Sequence, residues 1–413
     1  MFGTSIPINM VKTFAPIYYI DQLGVTASQF STVIAVTAIA DIFFIYMLGK
    51  MSDQFLNKIK RSIWIIFGAP ILVLLFVMFF SNDALQSQST IFIYLLILYL
   101  AIAIVDGMIN INYGALFPEL FKNERDRMIT NSYRQIFQLL AMMLSIAITP
   151  VLVSFIGYSF VSLLYGIATL VVILYSAMGN HETIEKIKVP EKKEGNIREL
   201  LTIFKDRLLW FYGISILCYS VAFSLITQGM PFYIQYTLGS PTFMNSVYLG
   251  TIFVVTILSI IFTSKYLVTV KVEKIWLYSY YFIFFGLLLS IFFLDSMALF
   301  ISSLVLGIGI GLMMASSDII GTKVIDIDYK TYHVVRTGLY MSVYNIMFRL
   351  NGLIVGIAFF LTEACFGFVS GEDIGNAPGA AASFLFLYFP FVIIVIGTLF
   401  SILFNKRICK TNF

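Results

Sequence analysis

The feature that most restricts this chain is the recurrence of apolar segments long enough to cross a bilayer. Lipid offers no partner to a backbone N–H or C=O, so a spanning segment must satisfy its own hydrogen bonds, as a helix does. At about 1.5 Å of rise per residue, roughly twenty apolar residues cover the ~30 Å of hydrocarbon. Such segments fall at 3–21, 28–49, 62–81, 90–117, 127–156, 158–178, 208–237, 243–264, 275–294, 297–322, 335–367 and 379–404. The pattern predicts an all-α integral membrane protein of twelve transmembrane helices. Composition agrees: 60% of the residues are hydrophobic and 12% charged, about half the charge of an average soluble domain. The long fourth, fifth and eleventh segments are expected to tilt or to reach past the bilayer.

The basic residues decide the orientation. They follow the even-numbered spans: Lys50, Lys58, Lys60 and Arg61; Lys122, Arg125 and Arg127; seven between 186 and 207; Lys265, Lys271 and Lys274; Lys323, Lys330 and Arg336; and Lys406, Arg407 and Lys410 in the tail. The loops after the odd-numbered spans contain none. Cytoplasmic loops carry the excess of Lys and Arg, so both termini are expected in the cytoplasm, in a multi-pass protein of the cell membrane. Trp64, Trp210 and Trp276 all open spans on that side, where an interfacial aromatic belt belongs. Nothing basic precedes Lys12 and no small-residue cleavage site follows the first span, so it is expected to be a retained helix, not a signal peptide.

One long polar stretch, "GNHETIEKIKVPEKKEGNIRELLTIFKDR" at 179–207, divides the chain. It predicts a six-helix bundle over 1–180, a cytoplasmic linker over 181–207 and a second six-helix bundle over 208–413. The halves show a weak internal likeness. "RMITNSYRQIFQLLA" in span five and "GLYMSVYNIMFRLNG" in span eleven each set a lone arginine among apolar residues with Tyr, Asn or Gln around it. Pseudo-symmetric halves around a central site are the pattern of alternating-access transporters.

Ionisable residues inside the spans carry the functional reading, because each costs several kcal/mol in lipid when unpaired. Lys12, Arg134 and Arg349 remain after the loops are counted, with Asp41, Asp106 and Asp318. By helical rise, Lys12 and Arg349 fall near the midplane, Asp41 and Asp106 slightly to either side, and Arg134 about a third of the way up from the cytoplasm. Asp106, Asn110 and Tyr113 share one face of span four, and Asn131, Arg134 and Gln138 one face of span five. A short loop makes these spans antiparallel neighbours, so Asn110 can meet Arg134, and Lys12 can pair with Asp41 or Asp106. Each such residue alone could simply lock helices together. Six of them at related depths in both halves point to a polar cavity. Gly307, Gly309 and Gly311 read as close-packing positions, and Lys323, Asp326 and Asp328 as the wet end of span ten.

Other chemistries are poorly served. Cys218, Cys365 and Cys409 are scattered, the two histidines form no metal motif, and no nucleophile–base pair or phosphate loop is present, so an enzyme is the least supported class.

Several stretches resemble one family. "GKMSDQFLNKIKR" is similar to the loop after span two of the major facilitator superfamily, through Gly49, Asp53, Lys60 and Arg61. "NYGALFPELFKNERDR" with the arginine that follows, "IYYIDQLGVT", "MPFYIQYTLG" and "VIDIDYKT…VRTGLYMSVYNIMFRLNG" resemble the glycoside–pentoside–hexuronide:cation symporters, the melibiose-permease relatives. The resemblance implies the major facilitator fold and a sugar site using an arginine in span five, a polar residue in span four and a basic residue in span eleven, matched by Arg134, Asn110 and Arg349. With the cavity reading, the substrate-binding set becomes Lys12, Asp106, Asn110, Arg134, Gln138 and Arg349.

The family's sodium site uses two aspartates four apart in span two. Here "DIFFIYMLG" keeps Asp41 and Gly49 but has Ile45 and Tyr46 where the second Asp and a Pro stand. One carboxylate is a poor start for a hard cation, so of the two candidate coupling ions, a proton and sodium, sodium is the less favoured. A proton needs a single titratable carboxylate, which Asp41 or Asp106 supplies. No cofactor is expected beyond such a coupling ion. Asp53, Glu119, Arg127, Asp326 and Arg336 are the expected cytoplasmic gate.

The leading function is a secondary transporter of a small polar solute, sugar-like by resemblance and compatible with an anion, since a guanidinium presents a fan of donors. The alternatives are a lipid, lysolipid or other organic-solute transporter of the same superfamily, or a membrane sensor that does not transport. The expected partners are a small-molecule substrate and the bilayer, with no nucleic acid, and a monomeric state.

Overall fold

A computed structural model describes residues 2–55, 60–81, 87–120, 133–134, 137–179, 206–266, 270–293, 295–332, 337–369, 371 and 373–411. Every regular element among them is helical. In chain order, α1 is Phe2–Pro16 continued by a π-helical turn, Ile17–Gln22; α2 is Ala27–Phe55, α3 Arg61–Phe79 and α4 Gln88–Leu120. A rod from Phe137 to Met178 follows. It is broken at Gly157, whose φ of 76° and ψ of 167° lie outside any helix. That left-handed φ is open to glycine at little cost, and it divides the rod into α5 (137–156) and α6 (158–178). Then come α7 (Arg207–Phe232 with the π turn Tyr233–Thr237), α8 (Met244–Tyr266), α9 (Val272–Phe292), α10 (Ser296–Tyr332), α11 (Thr337–Phe366) and α12 (Pro378–Ser383, the π turn Phe384–Tyr388, and Phe389–Thr411).

Eight helices among the described residues are long and apolar enough to cross a membrane, the 137–178 rod counting as one. Dividing that rod at Gly157 makes nine, and α1, α2 and α11 complete the expected twelve. Their outward faces carry large apolar side chains such as Phe67, Leu74, Ile97, Phe160, Phe285 and Leu399, which suits contact with acyl chains.

The chain separates into two compact units. Unit 1 comprises Met1–Lys188, with Thr242–Ser246 and Phe359–Ala377; unit 2 comprises Val189–Pro241, Val247–Ala358 and Pro378–Phe413. Within unit 1, α3 packs on α4 and α6, α2 on α4, and α1 on α6. Within unit 2, α9 packs on α10, and α12 on α7 and α9.

Lipid is as apolar as a leucine side chain, so such helices associate through close packing, which small residues permit. The three glycines of α10 show this directly. A Cβ at Gly307 would sit 2.8 Å from the Ile252 carbonyl oxygen, at Gly309 2.9 Å from the Ile283 nitrogen, and at Gly311 2.7 Å from the Thr256 carbonyl oxygen. Side chains there would push α10 off α8 and α9.

The corners that end α1 and α7 are built alike. Pro16 and Gly24 bracket the first, Pro231 and Gly239 the second, at the same spacing. Both glycines have positive φ, 70° and 58°. The closing bonds also match: Leu23 N–H donates to Tyr18 O and Val25 N–H to Tyr19 O, while Leu238 N–H donates to Tyr233 O and Ser240 N–H to Ile234 O. The internal repeat therefore extends to backbone detail.

Candidate functional site

The face of α4 with Asp106, Asn110 and Tyr113 forms as its spacing requires. Asn110 Nδ2 donates to Asp106 Oδ1 at 2.7 Å, one helical turn back. Arg134, in the short described helical stretch 133–134 that precedes α5 in the chain, is close enough for its charge to act on the Tyr113 hydroxyl. Asn110, Tyr113 and Arg134 line one cavity of about 470 Å³ within unit 1. Its other walls come from the start of α1 (Phe2, Gly3, Thr4), from Ile65 and Ile109, from Phe137, and from the last turns of α6 between Val172 and Ala177. The site therefore lies toward the cytoplasmic ends of these helices, by the orientation the loop charges give. Most of the wall is apolar. Apolar walls around a half-buried guanidinium lower the effective dielectric, which strengthens its interaction with an acceptor relative to bulk water.

The other expected ligands are placed differently. Lys12 is exposed on α1. Asp106 and Gln138 are half-buried, and neither is among the described lining residues. Asp41 is half-buried on α2, within electrostatic reach of Tyr99 on α4. Arg349, Asp53 and Glu119 fall on α11, α2 and α4, but their side chains lie outside the described residues, as does that of Asp318; Arg127 and Arg336 lie outside them entirely.

The end of α10 departs from expectation. Asp326 is exposed, but Asp328 is only 5% exposed and is not part of a wet end. It stands beside the hydroxyl of the fully buried Tyr340, which donates to Asp206 Oδ2 at 3.0 Å. Asp206 Oδ1 meanwhile accepts from Leu208 N–H at 2.9 Å and so caps α7. Lys323 likewise pairs with Glu273, in the first turn of α9, instead of facing water alone. Higher in unit 2, Asn351 Nδ2 donates to Ser224 Oγ at 3.0 Å. The cap was available to sequence reading, since an Asp just before an apolar run is an N-cap signal. The partners on distant helices left no such signal.

The apolar helices of membrane-spanning length among the described residues define a multi-pass membrane protein. The profile of the family described as MFS/sugar transport protein matches residues 1–411, and the chain belongs to that family. The family's members are transporters, not enzymes.

Among curated proteins, the chain is 24% identical to the symporter YjmB of Bacillus subtilis over 64% of this chain and 59% of that protein. It is 21% identical to the isoprimeverose transporter of Lactiplantibacillus pentosus over 58% of this chain and 52% of that protein. The chain thus spans a little over half the length of these two relatives. Among solved structures, a bacterial homologue of the human lysosomal transporter Spinster, inward-facing and unoccupied, superposes with a TM-score of 0.71 at 12% identity, covering 99% of this chain and 95% of that one. A bacterial homologue of the iron transporter ferroportin, also inward-facing, gives 0.68 at 13% identity over 98% and 97%. At these identities the likeness concerns the fold.

Proposed function

We propose that this protein is a secondary transporter that moves a small sugar-like solute across the cell membrane by alternating access, and that the solute carries a carboxylate or another anionic group. The observation that supports this most is the cavity shared by Arg134, Asn110 and Tyr113 in a chain of the sugar-transport family. Arg134 donates a forked pair of hydrogen bonds to the solute, Tyr113 packs on or bonds its ring, and Asn110, held by Asp106, fixes the polar edge of the pocket. Lys12, Gln138 and Arg349 complete the binding set as the solute passes.

Coupling is assigned to a proton carried by Asp41 or Asp106, because span two lacks the second aspartate that a sodium site would need. The cytoplasmic gate is assigned to Asp53, Glu119, Arg127, Asp326 and Arg336. Exposed pairs of this kind contribute roughly 0.2–1 kcal/mol each, enough to bias a near-balanced equilibrium. Neutralising Glu119 and Asp326 together is expected to raise cysteine accessibility from the cytoplasm, and unchanged accessibility counts against this gate.

The test of the function is uptake of labelled sugars and sugar acids into proteoliposomes, with and without a proton gradient. The expected result is accumulation of at least one sugar acid that collapses with the proton gradient and is indifferent to sodium. Sodium-driven uptake would overturn the coupling. Absence of uptake across the whole panel would overturn the substrate class.

A further inference from the structure

Unit 1 contains a segment from far along the sequence, Phe359–Ala377, which is the outer end of α11 and the strand of chain that follows it. Its attachment can be followed bond by bond. A helix begins with backbone N–H groups that have no partner inside it. At the start of α2, Thr26 Oγ1 accepts from Gln29 N–H at 3.0 Å and Gln29 Oε1 accepts from Thr26 N–H at 3.1 Å, a reciprocal capping pair. Two donors between them are satisfied from the distant segment. Ser28 N–H donates to Glu363 Oε2 at 2.6 Å, and Ala27 N–H to the Val369 carbonyl at 2.8 Å.

A third bond runs the other way, from Gly371 N–H to the Ile20 carbonyl at 2.8 Å, in the π turn that ends α1. A Cβ at Gly371 would overlap the Asp21 carbonyl, so glycine is what lets the strap lie this close. The rings of Phe30 and Phe359 meet edge to face at 5.4 Å beneath it. Gly367, at a φ of 67°, ends α11 and turns the chain toward the corner.

We propose that residues 359–369, Gly371 and residues 373–377 form an outer gate strap, and that Glu363 is its latch, holding the start of α2 when the outer side is closed and releasing it when that side opens. A carboxylate suits this role. It gains a charge-assisted bond and a favourable interaction with the positive end of α2, yet it returns to water on release without stranding a buried charge. Two of the three bonds are backbone to backbone and the third takes a backbone N–H of α2, so the strap recognises the geometry of the α1–α2 corner more than its side chains.

The test is a spin-label distance between Thr32→Cys on α2 and Ile374→Cys on the strap, in a chain whose three cysteines are replaced by serine, in lipid nanodiscs without substrate. The parent should show mainly one short distance. Glu363→Ala and, independently, Gly371→Ala should each raise the long-distance population by roughly tenfold, the size expected for losing a helix-capping contact. Glu363→Gln, which keeps an acceptor and loses the charge, should give a smaller rise. Distance distributions unchanged from the parent in both Glu363→Ala and Gly371→Ala would overturn the strap, and a shift in Gly371→Ala alone would remove Glu363 from it. The readout needs no solute, so it fails or succeeds separately from the proposed transport function.

Discussion

Polar side chains enter the membrane-crossing helices of both units, and two sets of them, one from each unit, are used differently. In unit 1, Asn110, Tyr113 and Arg134 stand around an open cavity. In unit 2, Asn351 is committed to Ser224, Tyr340 to Asp206 and Lys323 to Glu273, each across a contact between helices. Where packing leaves open space beside a polar group, that group can also reach a ligand, and where a neighbouring helix fills the space, the bond fastens the bundle. The residue types alone do not separate the two cases.

This contrast can be broken by substitutions that should affect binding in one unit and stability in the other. The largest effect is expected from Arg134→Ala, which should weaken solute binding by roughly a hundredfold, the scale of removing one partner from a desolvated charged contact. Its melting temperature in detergent should stay near that of the parent. Gly311→Ala should do the reverse. Its Cβ would meet the Thr256 carbonyl, and overpacking of this kind costs about 1–3 kcal/mol, read as a lowered melting temperature with unchanged affinity. The smallest effect belongs to Asn351→Ala, because a side-chain hydrogen bond between membrane helices is worth only ~0.6 kcal/mol. A slight fall in melting temperature and parent-like affinity are expected, and a large loss of affinity would move unit 2 into the binding site.

The same contrast marks what could be read before the fold was known. Spans followed from hydropathy, because the bilayer fixes their length whatever their neighbours are. The α10 glycines were legible as packing positions because small residues have that use in lipid, and the contacts of Gly307, Gly309 and Gly311 show it. The face of α4 was legible from helical period, but the bond Asn110 makes on it, to Asp106 one turn back, was not among the pairings that the sequence suggested. Partner choice was not legible. Asp328 sits among charges that read as solvated, yet the ends of α7, α10 and α11 converge to bury it. Lys12 reads as a midplane cation in need of a carboxylate, yet its side chain is exposed on an otherwise largely buried α1. Glu363 falls within the outer end of span eleven and nothing in the local sequence singles it out, and only the arrival of the α1–α2 corner gives it a role. Each depends on which helices meet, and local sequence does not encode that.

The central claim is that Arg134 is a ligand and not a helix lock, and Arg134→Lys tests it most directly. Lysine keeps the charge and can still pair within the bundle, but it loses the planar fork that grips a carboxylate or a pair of hydroxyls. Solute affinity and detergent melting temperature should be measured together on the parent and this variant. A fall in affinity of at least roughly tenfold, or ~1.4 kcal/mol, with a parent-like melting temperature is the predicted result. Parent-like affinity with a lowered melting temperature would contradict it and return Arg134 to a structural role.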